Sequence, residues 1–143
     1  MGRLIVVALA VTLVAGCGGG GKRLSKTEYA AQADAICRKY NSLSQISNPK
    51  SLSDVARAVD KLTPLLDKSI KDLRKLKPPK DEQATADRWL DKVQAIRDDL
   101  AKVGDRAAKK DTKGVGAALR SGAKDQQGGN QLASQLGMTD CSE

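Results

Sequence analysis

No histidine and no phenylalanine occur in the 143 residues, and the aromatic side chains are only Tyr29, Tyr40 and Trp89. The missing histidine removes the commonest general base and the commonest neutral metal ligand. The scarcity of aromatics leaves Ala, Leu, Val and Ile to build a core, which suits closely packed helices better than a sandwich or barrel. Strand signals are missing too: there is no alternating β-branched run and no hairpin dipeptide between two such runs. No cysteine pair has zinc-binding spacing, and no stretch alternates oxygen ligands as a calcium loop does. Carboxylate pairs such as Asp87/Asp91 and Asp98/Asp99 stand among Arg88, Lys92, Arg97 and Lys102, the pattern of a solvated, charge-mixed helix face. The expectation is a chain that is not an enzyme, with no catalytic residue, no metal and no cofactor.

What is present reads first as an address. Met1-Gly2-Arg3 opens the chain with a positive charge, and Leu4 to Val14 is an apolar run. That run is too short to span a bilayer and has the size of a signal-peptide core. It ends in Val14-Ala15-Gly16-Cys17, where small residues let a peptidase grip extended backbone and the thiol can serve as nucleophile. The string resembles the lipobox of bacterial lipoproteins, with Val14 where Leu is commoner. The resemblance implies thioether attachment of diacylglycerol to Cys17, cleavage between Gly16 and Cys17, and palmitate-type acylation. An ordinary secretory signal with a chance cysteine is the alternative. Gly18 to Gly21 then forms a leash that, with Lys22 and Arg23, reaches about 13 Å as random coil.

The rest reads as helices. Ser25 and Glu28 have capping-box spacing, Leu24 and Tyr29 have that of a hydrophobic staple, and Tyr29, Ala33, Ile36, Tyr40 and Leu43 trace one helical face. A second helix starts near Ser51 or Ser53 and carries Val55, Val59, Leu62, Leu66, Leu73 and Leu76, with a kink or break expected near Asp60–Thr63 before Pro64. A third follows Lys77-Pro78-Pro79 and steps through Ala86, Trp89, Val93, Ile96, Leu100, Val103 and Ala107. A fourth, capped by Asp111 or Thr112, would carry Val115, Leu119, Ala123, Leu132, Ala133 and Leu136, with Gly128-Gly129 as its weak middle and Gly137 ending it. The expected fold is all-α: an antiparallel up-down-up-down four-helix bundle over 25–143, after a signal peptide (1–16) and a lipidated tether (17–24).

Setting Cys17 aside leaves Cys37 and Cys141, in an oxidising compartment if the chain is exported. A bridge between them is the favoured reading, and two buried free thiols are the alternative. Cys37 lies well along the first helix, so either the tail after Gly137 doubles back or the fourth helix ends early.

Taken together, Ala33-Asp34-Ala35-Ile36-Cys37, Lys77-Pro78-Pro79, Trp89-Leu90 and the span from Leu136-Gly137 to Cys141 make a recognisable set. With the lipobox, they resemble a group of small lipoproteins of high-G+C Gram-positive bacteria whose biochemical activity is not established. That resemblance implies an architecture and a location, and no catalytic residues.

Charge suggests what the exported part meets. Beyond Gly16 the chain has 24 basic and 17 acidic residues, a surplus that favours anionic headgroups or wall polymers over nucleic acid. Lys75, Lys77 and Lys80, near the end of the second helix, would share one end of a bundle with Lys22, Arg23 and Lys26, making a possible membrane-facing basic end. Helix-dipole complementation is the plainer account of the lysines at that helix end. The expectation is a monomeric, lipid-anchored module on the extracytoplasmic face of the cell membrane, meeting an unknown protein or cell-wall polymer. The runner-up is a ligand-binding lipoprotein that delivers a small or lipidic molecule to a membrane system.

Overall fold

The computed structural model describes residues 22–44 and 48–142. The signal segment, the lipobox residues Val14, Ala15 and Gly16, the anchor Cys17 and the glycine leash lie outside the described residues. Four helices form: α1 (Lys26–Leu43), α2 (Leu52–Leu73), α3 (Gln83–Ala108) and α4 (Thr112–Gln135). A 3-10 turn, Lys80–Glu82, leads into α3, and no strand occurs among the described residues.

Three of the four helix starts use a side-chain cap legible in the sequence, and α3 instead follows directly from the 3-10 turn. The Ser25 side chain accepts from Glu28 N while the Glu28 carboxylate accepts from Ser25 N, a complete capping box. Ser51 accepts from Asp54 N at the start of α2, and Asp111 accepts from Gly114 N at the start of α4. At the end of α4, Gly137 takes φ +79°, the Gly137 N–H bonds Ser134 O and the Met138 N–H bonds Ala133 O. That is a Schellman stop, with Met138 and Ala133 joined in the core beneath it.

Two expectations are corrected. The second helix does not break before Pro64; α2 runs uninterrupted through it. Pro64 and Asp60 are both exposed, so the backbone acceptor that proline leaves without a partner faces water, and the Thr63 hydroxyl bonds back to Val59 O at 2.9 Å. The fourth helix, whose middle the sequence leaves open, continues through Gly128-Gly129. Its inward face differs in part from the one expected: Val115, Ala133 and Leu136 are buried as expected, but Leu119 is 55% exposed and Ala123 is exposed, and Ala118 and Gly129 are buried instead. A Cβ on Gly129 would sit 3.6 Å from Lys92 Cβ, and one on Gly128 would sit 3.3 Å from Lys92 Cε. At both positions a Cβ would meet only side chains of α3, at or near ordinary van der Waals distance, so α4 lies on α3 without requiring either glycine.

The buried residues fall into two clusters. One joins Tyr29, Ala30 and Ala33 of α1 to Leu73, Ala86, Trp89, Ala133, Leu136 and Met138, so all four helices and the tail meet there. The other, Val59, Val103, Ala107, Val115 and Ala118, comes from α2, α3 and α4 alone. Leu43, expected to extend the inward face of α1, is 56% exposed. Trp89, Tyr29, Leu73, Leu136 and Met138 are the largest fully buried side chains, all in the first cluster, each contributing on the order of 2–3 kcal/mol by burial.

The second cluster depends on one close approach. A Cβ on Gly104 would lie 2.7 Å from Val59 Cγ1, so α2 and α3 meet at van der Waals contact only because that side chain is absent. Gly104→Ala is expected to lower stability in urea unfolding by about 1–3 kcal/mol, overpacking outweighing the gain in helix propensity. Gly116→Ala, whose Cβ would meet nothing closer than Arg120 Nη1 at 3.5 Å, is expected to raise stability by up to about 1 kcal/mol. If both substitutions stabilise, the α2–α3 contact is looser than described.

Candidate functional site

The six basic residues expected to share one end are brought together by a backbone bond and two side chains. Leu24 N donates to Lys77 O at 2.9 Å, fastening the start of α1 to the turn after α2. Arg23 Nη1 donates to Pro78 O at 2.9 Å and to Gln83 Oε1 at 2.7 Å, and Lys26 pairs with Glu82 at 2.6 Å. Leu24 and Leu76 pack beneath against the four-helix cluster, which is why the two segments meet.

Part of this end is engaged within the domain. Arg23 is committed to Pro78 and Gln83, Lys26 to Glu82, and Lys75 to Asp72 at 2.7 Å. The Lys75 ammonium and the Tyr40 hydroxyl hold the Asp72 carboxyl below its ordinary range. Lys22, Lys77 and Lys80 are exposed and form no ion pair among the described residues. Surface pairs of this kind contribute little stability, but they set which lysines stay available to a partner.

Sequence reasoning missed the most highly bonded carboxylate. Asp34, 7% exposed, accepts from Thr139 N at 3.1 and 3.0 Å, from the Thr139 hydroxyl at 3.1 Å and from Cys141 N at 3.1 Å. Cys37 is joined to Cys141 in a disulfide across a sequence separation of 104, and Arg38 pairs with Asp140. Of the two routes open to the cysteines, the tail doubles back along α1, with α4 running on to Gln135. The signal was available: Asp34 sits beside Ala33 on the inward face of α1, where an acidic residue needs donors.

The charged faces of α3 are also corrected. Asp87, Asp91 and Asp98 are exposed, but Asp99 is 3% exposed and pairs with Lys102 at 2.7 Å. Arg97 grips Asp67 of α2 with two bonds, Nε to Oδ1 at 2.7 Å and Nη2 to Oδ2 at 3.0 Å, and Lys92 reaches Asp125 of α4 at 2.8 Å. These residues brace neighbouring helices as well as facing solvent.

No known protein family matches the chain, and neither does any curated protein or any solved structure. Among the described residues, no helix is long and apolar enough to cross a membrane.

Two measurements test this site. Asp34→Ala is expected to cost about 2 kcal/mol in urea unfolding, because it leaves partly buried backbone donors of the tail without their carboxylate acceptor. An effect under about 1 kcal/mol would mean that the disulfide alone holds the tail. Burial, and secondly the charge of Asp87, push the Tyr29 hydroxyl up to about 12 from 10.0. A raised folded value means that the stabilisation is complete below pH 10 and is lost as pH rises toward 12. Thermal unfolding between those limits is expected to show a steeper alkaline decline for the wild type than for Tyr29→Phe, and equal declines would refute the assignment.

Proposed function

We propose that the chain is an exported lipoprotein, anchored through Cys17, whose helices form an antiparallel up-down-up-down bundle acting as a non-enzymatic interaction module at the outer membrane–water boundary. The observation that carries the reading is the bond from Leu24 N to Lys77 O. It keeps Lys22, Lys77 and Lys80 beside the point from which the chain leads back to Cys17, so free lysines and tether belong to one end. Each such charge is worth about 1 kcal/mol near an anionic surface and fades over roughly 8 Å at physiological salt. The lipid would supply the attachment and the lysines the posture. The Cys37–Cys141 bond fits an oxidising compartment.

Residue pairing supports the antiparallel arrangement. Along α2 and α3, Val59 lies over Gly104 while Asp67 meets Arg97. Along α3 and α4, Asp99 lies against Gly122 while Lys92 meets Asp125. Surface hollows of about 390 to 460 Å³ occur, but they open to solvent and include charged or amide side chains. They suit docking of an extended partner better than carriage of an enclosed lipidic molecule.

Cys17→Ser is expected to leave unprocessed precursor without lipid; cleavage at Gly16 and release at the wild-type rate would refute the anchor. Residues 18–143 are expected to bind anionic vesicles weakly and to lose that binding as salt rises. Charge reversal at Lys77 and Lys80 should weaken binding more than reversal at Lys109, Lys110 and Lys113. Equal losses would mean diffuse attraction without a preferred orientation.

A further inference from the structure

Among the described residues, Asp99 Oδ2 is the buried side-chain polar atom that has no hydrogen-bond partner. Its sister oxygen accepts from Lys102 at 2.7 Å. Lys102, and secondly the nearby Ser121 hydroxyl, hold the Asp99 carboxyl below its ordinary range, yet no donor reaches Oδ2 with bonding geometry. A buried acceptor left in this state costs free energy, and native structures rarely keep one without a use for it.

Asp99 borders an open hollow of about 460 Å³ between α3 and α4, together with Lys102, Arg106, Asp111, Lys113 and Ser121. The start of α4 lies in its wall, with Asp111 capping Gly114 N and accepting from Arg106 at 3.2 Å. Lys113 is exposed and forms no ion pair among the described residues. Lys102 and Arg106 are paired with Asp99 and Asp111, so the lining carries one net positive charge, with Lys113 as its unpaired cation, and this balance favours an anionic ligand. The unpartnered oxygen adds a second requirement, a hydrogen-bond donor on the same ligand. A simple anion leaves Oδ2 unpaired, and a neutral polyol leaves the cations unused. An amine would duplicate what Lys102 already supplies. A tetrahedral phosphate can meet three cations from different sides, which a planar carboxylate does less well.

We propose that this hollow binds a phosphate ester carrying a free hydroxyl, with the phosphate on Arg106, Lys113 and Lys102 and the hydroxyl donating to Asp99 Oδ2. Lys102, whose side chain is 64% exposed, is free to move: as its ammonium swings to the phosphate, the neighbouring Ser121 hydroxyl takes over Asp99 Oδ1 while the ligand's hydroxyl donates to Oδ2, so both carboxylate oxygens are paired. The source is either a free small ester or the repeating unit of a polyol-phosphate polymer. The second source deepens the proposed role of an anchored module and rests on it; the pocket chemistry does not.

Calorimetric titration of the full chain in mild detergent, with glycerol 3-phosphate, inorganic phosphate and glycerol as probes, decides it. Glycerol 3-phosphate is expected to bind about tenfold or more tightly than inorganic phosphate, and glycerol not to bind. Asp99→Asn should abolish that preference, and Lys113→Glu, at an exposed position, should weaken both phosphates. Equal binding of the two phosphates, a preference that survives Asp99→Asn, or affinity unmoved by Lys113→Glu would each overturn the proposal. Short poly(glycerol phosphate) binding more tightly than the monomer assigns the polymer, and the reverse assigns the free ester. Because the titration needs no anchoring, failure of the lipoprotein reading would leave its outcome untouched.

Discussion

The carboxylate of Asp34 is the constraint on which the assembled domain depends. Among the described residues no helix follows α4, and the backbone donors of the segment after Gln135 would otherwise turn to water. Asp34 gathers two of those N–H groups and one hydroxyl, and so folds the tail onto α1. With the tail in place, Leu136 and Met138 seal the cluster that contains Tyr29, Leu73 and Trp89. Cys141 is then delivered to Cys37. The hydrogen bonds define the geometry, the covalent link makes it durable, and the apolar burial follows from both.

At the other end the problem is different. Val59, Val103, Ala107, Val115 and Ala118 are small or β-branched, and α1 contributes nothing to their burial. Such a cluster gains little from any single side chain, so it relies on short helix-to-helix distance. Glycine at 104 provides that distance. Ion pairs between Arg97 and Asp67 and between Lys92 and Asp125 then hold the helices in register from outside. One end is built on bulk and a covalent link, the other on proximity.

This contrast explains what could be read in the residues before any coordinates. Capping at Ser25, Ser51 and Asp111 and the stop at Gly137 are local, and each stands where the sequence places it. Periodicity found α3 because its inward stripe is large and apolar. It placed Val115, Ala133 and Leu136 of α4 inward correctly but misassigned Leu119 and Ala123, where Ala118 and Gly129 are buried instead, since small residues leave little hydropathy signal. Pro64 misled in the same direction, because its cost depends on whether the freed acceptor meets water. The basic end was legible as a juxtaposition, but not in all its pairings, because Glu82 and Gln83 are partners of Lys26 and Arg23 only in three dimensions. Asp99 looks like any helix-surface acid until its burial is known.

The link between Cys37 and Cys141 also makes nearly the whole domain a closed loop. A single backbone cut anywhere from residue 38 to residue 140 therefore leaves two fragments that stay covalently joined. In a compartment exposed to proteases, nicking between α1 and α2 or between α3 and α4 would not release either piece. The molecule can be wounded there and still keep all its parts in one place.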